Sequence, residues 1–195
     1  MNLDLPLIKT ERLILRLATQ KDVAAILTYY SENRHFLTPF EPARPKDFYT
    51  IEFWKEQVEK ALIEFNFDQT LKLCMFKRTS PDQVIGKINF NQIQRGIAHY
   101  CVLGYNLTEH EQGNGYMTEA LKAAIQHMFN ELNLHRIMAN YMPHNQRSGN
   151  LLKRLGFVVE GYARDYLLIN GKWEDHILTS LTNPAWKPNQ LHHPL

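Results

Sequence analysis

Between residues 107 and 129 the sequence changes texture in a way that few folds accommodate. An apolar stretch ends at Leu107 and a glycine-bearing turn follows, within the run LTEHEQGNGYMTE that ends at Glu119. From there Met117, Ala120, Leu121, Ala124, Ile125, Met128 and Phe129 recur at i, i+3, i+4, i+7, i+8, i+11 and i+12. This is the strongest helical period in the chain. The first amides of a helix have no internal partners and carry the positive end of its dipole. Gly113 and Gly115 would let that backbone approach a phosphate closely. The segment therefore reads either as a pyrophosphate cradle or as a loop that needs unusual dihedrals. A dinucleotide fingerprint wants a third glycine where Thr118 stands, and a P-loop wants Gly-Lys followed by Ser or Thr, which is missing.

Around this turn the chain alternates between the two periodicities. Leu13, Leu15 and Leu17 mark one face of a strand over Glu11–Leu17. Thr19 is placed to cap a helix over Lys21–Tyr30, with Asp22 in its first turn. The run RHFLTPFEPARP holds Pro39, Pro42 and Pro45 and is expected to be irregular. A second helix is expected over Tyr49–Phe65. Leu71–Lys77, Val84–Gln94 and Ile97–Leu107 read as an antiparallel meander, with Ser80, Pro81 and Asp82 in the first turn. After the long helix come a strand at Arg136–Tyr141, a helix at Asn145–Leu155 closed by Gly156, and strands at Phe157–Leu168 and Trp173–Leu181. Asn170-Gly171 between the last two is a hairpin signal. This order predicts an α/β (α+β) fold: a mixed, mostly antiparallel sheet of about seven strands with helices on both faces. One domain over residues 1–182 and a loosely ordered tail over 183–195 are expected.

Composition narrows the function. With 22 basic and 20 acidic residues in 195, the formal charge of +2 gives no reason to expect direct sequence-specific nucleic-acid binding. Two cysteines, Cys74 and Cys101, lie in apolar strands and read as reduced, buried thiols. The N-terminal run MNLDLPLIKTER fits no secretory signal, and no apolar run is long enough to span a membrane. A cytoplasmic location is the expectation. The nine histidines show no metal-ligand spacing, so no metal is expected.

Gln112-Gly113-Asn114-Gly115-Tyr116-Met117 resembles the Q/R-x-x-G-x-G/A motif of the GCN5-related N-acetyltransferases, which lies between their fourth strand and third helix. Met117 departs from the Gly or Ala of that motif. Asn145-Gln146-Arg147-Ser148 and Leu155-Gly156-Phe157 match later words of the family in order, and the likeness covers about Leu7 to Thr182. The words around Arg34, from His135 to Asn145 and from Asp165 to Gly171 are similar to the bacterial ribosomal-protein-alanine branch, most of all to members acting on the fifth small-subunit ribosomal protein. The resemblance implies acetyl-CoA as donor and the N-terminal amine of a ribosomal protein, in the small subunit or its precursor, as acceptor. A small-amine, polyamine or lysine acetyltransferase, or a non-enzymatic ribosome-assembly factor, is the alternative.

On the same resemblance, Tyr105, Leu107, Gln112, Gly113, Asn114, Gly115, Tyr116 and Met117 hold the donor, with Asn145 on its pantetheine arm. Ser148 protonates the leaving sulfur, or is an ordinary first-turn serine. Arg154, with Arg147 and Lys153, supplies cations for the phosphates, or forms a solvated helix face. The base is open. The family's carboxylate before the apolar-Gly-Tyr word is Val102 here, and a sister enzyme's glutamate before the hairpin turn is Leu167. Glu41, His99, Asp165 and Tyr166 are candidates for a relay. Phe40, Glu41, Tyr166 and Trp173 are candidates for the acceptor groove. At pH 7 roughly a tenth of an α-amine of pKa ~7.7–8.0 is neutral, against roughly four in ten thousand for a lysine at ~10.4. A site short of a dedicated carboxylate therefore suits an α-amine. A nucleophilic Cys101 has no base beside it in sequence.

Overall fold

The computed structural model describes residues 5–188. Eight strands form one sheet in the order β1-β2-β3-β4-β5-β6-β8-β7. They are β1 (Leu7–Lys9), β2 (Leu13–Arg16), β3 (Leu71–Lys77), β4 (Ser80–Gln94), β5 (Tyr100–Leu107), β6 (Arg136–Tyr141), β7 (Val158–Ile169) and β8 (Lys172–Thr182). The helices are α1 (Val23–Glu32), α2 (Arg34–Leu37), α3 (Ile51–Asn66), α4 (Tyr116–Asn130) and α5 (Gln146–Arg154). Every neighbouring pair is antiparallel except β5 and β6.

Strand alternation splits the core into two layers. Leu73, Met75, Ile88, Phe90, Cys101 and Ile137 face α4, whose stripe from Met117 to Met128 is buried as its period requires. On the opposite face Cys74, Phe76 and Val84 meet α1 and α3 through Ile26, Tyr29, Tyr30, Trp54 and Val58. Thr50 caps α3 by accepting a hydrogen bond from the Phe53 amide. Asn170 and Gly171 have φ of 45° and 81°, the twist a two-residue hairpin needs.

The structure corrects the sequence-based expectation in four places. A short edge strand, β1, precedes the first expected one, making eight strands instead of seven. Arg34–Leu37 is helical, because the first proline, Pro39, falls beyond it, in the 3-10 turn Thr38–Phe40. Ser80, Pro81 and Asp82 lie within β4, and the turn is Arg78–Thr79, since Lys77 pairs with Ser80. Ile97–His99 precede β5 instead of opening it. At the start of the expected loose tail Asn183 is buried and the Trp186 indole donates to the Asn133 carbonyl at 3.1 Å. Residues 189–195 lie outside the described residues.

Candidate active site

The parallel pair β5–β6 places the site. The strands pair only at Tyr100–Arg136, Cys101–Ile137 and Val102–Met138. Beyond Val102 the edge of β5 that faces β6 is unpaired, and a wedge opens toward the glycine turn. A loop that leaves β5 at Leu107 must return as α4 at this mouth, which is why the turn and the wedge coincide.

The turn has the conformation its glycines predict. Gly113 and Gly115 have φ of +78° and +79°, and Gly115 is the N-cap of α4. The first bond that closes α4 runs from the Glu119 amide to the Gly115 carbonyl at 3.1 Å, so the amides just before Glu119 lack helical partners. A Cβ built on Gly113 meets nothing within 4 Å, so the space before the turn is open. These features fit a diphosphate. Met117 sends its side chain into the core, so its departure from the motif is taken up by packing beneath the turn.

Arg12, which the sequence reading passed over, fixes the turn from behind. It donates to the Asn114 carbonyl at 3.0 Å, pairs with Glu119 at 2.7 Å, and lies 4.4 Å from the Tyr116 ring centroid. Arg147 donates to Gln112 Oε1 at 2.7 Å and ties α5 to the same turn. Lys153 lines a cavity of about 540 Å³ with Tyr141 and Val158, on the face of α5 turned away from Ser148. The positive field of Arg154 reaches Tyr105. Asn145 caps α5, its Oδ1 accepting from the Ser148 amide at 3.2 Å.

Two sets of side chains flank the wedge. On the α4–α5 face the Tyr105 hydroxyl and Ser148 Oγ are 2.6 Å apart. Burial raises the Tyr105 pKa to about 12, more than the Ser148 hydrogen bond and Arg154 lower it. Asn106, the next residue on β5, faces the α1–α3 side. Its Nδ2 donates to Glu41 Oε1 at 2.6 Å, and its Oδ1 accepts from the Tyr29 hydroxyl at 2.9 Å. Arg44 pairs with the other Glu41 oxygen. The Glu41 carbonyl accepts from the Asn170 amide at 3.0 Å, joining the proline-rich loop to the tip of the β7–β8 hairpin. Tyr166 stands on this side too: its ring lies 5.7 Å from His176, and its hydroxyl accepts from Asn140 Nδ2 at 3.5 Å. Phe40 tilts against His144 with centroids 6.3 Å apart.

Other candidates fall elsewhere. His99 precedes β5 at the end opposite the glycine turn, against Trp186 at 5.2 Å. Cys101 is fully buried, and burial pushes its thiol up to about 12, which removes it as a nucleophile. Asp165 sits at the irregularity in β7, where its amide donates to Asp175 at 2.9 Å. Trp173 is exposed on the outer hairpin opposite Leu168. Sequence reasoning missed Asn106, Tyr29 and Arg44; the one signal was a polar Asn106 inside an otherwise apolar strand. Among the described residues no group of three His, Cys, Asp or Glu side chains could hold a metal, and no helix is long and apolar enough to cross a membrane.

Known proteins share this fold. The family model described as acetyltransferase (GNAT) domain matches residues 12–158. The [ribosomal protein uS5]-alanine N-acetyltransferase of Escherichia coli is 48% identical over 183 residues, covering 93% of each chain. The crystal structure of ribosomal-protein-S5-alanine acetyltransferase from Vibrio fischeri superposes with a TM-score of 0.89 at 39% identity, covering 94% of this chain and 100% of that one. Mycobacterium smegmatis RimJ in complex with CoA-disulfide superposes at 0.82 with 25% identity, covering 91% and 86%. With a glycine turn at a parted parallel strand pair, and matches that run nearly end to end, the chain belongs to the GNAT acetyltransferase family.

Proposed function

We propose that this protein transfers the acetyl group of acetyl-CoA to the N-terminal alanine α-amine of a ribosomal protein, by direct attack of the amine on the thioester. The observation that carries the chemistry is the division of labour across β5. Neighbouring residues of one strand present a hydroxyl pair on one face, Tyr105–Ser148, and a held carboxylate on the other, Asn106–Glu41. The acceptor is inferred from the end-to-end likeness to the uS5-alanine enzyme.

In this reading the amides of Gly113 through Met117 grip the diphosphate, and the unpaired edge of β5 at Tyr105–Leu107 lies along the pantetheine arm, with the free end of the Asn145 amide at its side. Gln112 and Asn114 shape the turn and Arg154 supplies positive potential. The Ser148 hydroxyl gives its proton to the leaving sulfur and is replenished by Tyr105. Glu41, with Tyr166 across the groove, accepts the proton that the ammonium loses, through water where contact is indirect. An α-amine needs little help with that proton, which suits a carboxylate already engaged by Asn106 and Arg44. No metal enters the scheme.

Mass spectrometry of the purified fifth small-subunit ribosomal protein, after incubation with enzyme and acetyl-CoA, tests the proposal. One added acetyl group on the N-terminal residue is expected. An unmodified α-amine, or a rate on polyamines or free lysine higher by orders of magnitude, overturns it.

A further inference from the structure

On the α1–α3 face, beside Asn106, lies a cavity of about 310 Å³ between α3 and the β3–β4 ladder. Phe48, Phe53 and Trp54 wall it. Three cations line it, Arg44, Lys72 and Lys87, and no carboxylate does. Arg44 and Lys72 have carboxylates at their backs, Glu41 and Glu64. Lys87 has none: among the described residues no Asp or Glu lies within ion-pair distance of it. Its Nζ instead lies 4.9 Å from the Trp54 ring centroid and 5.5 Å from that of Tyr30. Burial pulls the Lys87 pKa down, but Tyr30 and Cys74 beside it outweigh burial, and the ammonium form is favoured. The cavity thus carries one ammonium that has the Tyr30 hydroxyl and aromatic faces as neighbours, and no carboxylate, at a low-dielectric wall. Two further buried atoms lack hydrogen-bond partners there, the donor Trp54 Nε1 and the acceptor Asn89 Oδ1. Native interiors rarely leave such atoms unpaired.

We propose that this cavity is a specificity subsite for a carboxylate, that of an acidic side chain near the N-terminus of the acceptor chain. The inference rests on the acceptor assigned above. Lys87 is the cross-strand partner of Asn106, so its strand lies one spacing, about 4.8 Å, from the one that holds Glu41. An extended peptide advances about 3.3–3.6 Å per residue, so acceptor residues two to four reach the cavity when the α-amine is at Glu41. The carboxylate accepts from the Lys87 ammonium and the Trp54 indole N–H, and Asn89 Oδ1 accepts an amide of the acceptor. The aromatic walls cover the methylenes of the acidic side chain.

The test uses alanine-initiated decapeptides with Glu placed in turn at positions two, three and four, their Gln counterparts, and a control with Glu at position eight. For at least one near position the wild type is expected to show a KM about tenfold lower with Glu than with Gln, at unchanged kcat. Lys87→Met erases that preference and Lys87→Arg restores most of it. Ala61→Phe fills the cavity from α3 without altering a charge, and is expected to raise the KM of the preferred Glu peptide to that of its Gln counterpart. Calorimetry of the same peptides on CoA-loaded enzyme reads the preference without turnover. Equal Glu and Gln values in the wild type overturn the subsite, as does a Lys87→Met effect equally large on both. Glutarate that binds through Lys87 as tightly as the best Glu peptide assigns the cavity to a free dicarboxylate and also overturns it. Preferential Glu binding with no acetylation of any peptide supports the subsite and overturns the acceptor assignment instead.

Discussion

The Ser148 and Tyr105 hydroxyls lie 2.6 Å apart beside the wedge, and their chemistry is asymmetric. A buried phenol whose pKa lies at about 12 stays protonated through the neutral range, so it can donate but does not serve as a base. Ser148→Ala is expected to lower kcat at least about a hundredfold with little change in the KM for acetyl-CoA, the size of a lost general acid. Tyr105→Phe is expected to cost less, and the double variant less than the sum, because the two hydroxyls act in series. The pH profile follows from the same shift. Activity should rise as the acceptor amine loses its proton near pH ~8 and stay level to beyond pH 10, where Tyr105 is still protonated. A falling limb between pH 8 and 10 in steady-state rates contradicts this assignment. Ser148 was legible because a motif names it. Asn106 was not, since one polar residue in a buried strand does not say what it will hold.

At the scale of elements, legibility tracked how strongly a segment is periodic. The α4 stripe, the β2 alternation and the Asn170-Gly171 hairpin were readable because each satisfies a local rule without outside help. β1 was not, since three residues with an exposed-intermediate-exposed pattern carry no period and exist only by pairing with β2. Glu41 could be read only as one of four relay candidates for a related reason: the residue that holds it at the site, Asn106, is sixty-five positions away in sequence. Two predictions belong here. A Cβ at Gly149 would stand 2.7 Å from Tyr141 Cε2, on a ring fixed between α5 and β6. Gly149→Ala is expected to cost about 1–3 kcal/mol and to lower Tm by several degrees in a thermal melt. Arg12→Ala releases the back of the glycine turn while leaving Ser148 and Glu41 untouched. It is expected to raise the KM for acetyl-CoA about tenfold at nearly constant kcat, and an unchanged KM would show that the turn holds its shape unaided.

Across the whole molecule, three carboxylates fasten helices from both layers to the same sheet. Asp22, at the head of α1, is bound twice by Arg16 of β2. Glu64 of α3 takes Lys72 of β3 at 2.6 Å, and Glu119 of α4 takes Arg12 and the Thr10 hydroxyl from the β1–β2 turn. For each, burial alone would raise the pKa. The hydrogen bonds from Arg16 and Thr19, from Lys72 and Thr70, and from Thr10 and Arg12 outweigh it, and all three lie below their ordinary values. A depressed folded-state pKa means that the unfolded chain binds more protons, so stability rises with pH through this region. The contribution is complete above the unfolded carboxylate values near pH ~4 and is lost as pH falls through the lower folded ones. Tm is therefore expected to be level from about pH 5.5 to 7 and to drop steeply below about pH 4.5. Asp22→Asn and Glu119→Gln are each expected to lower Tm at pH 7 by more than at pH 3, since the wild-type carboxylates take up protons as pH falls through their lowered folded values. A variant equally destabilised at both pH values would show that packing, and not ionisation, fastens that helix to the sheet. Because Glu119 also anchors Arg12 behind the glycine turn and its folded pKa lies below the ordinary value, CoA binding through this anchor is expected to hold level from pH 7 to pH 5 and to weaken only below about pH 4.5, which calorimetric titration at temperatures below the melt can read.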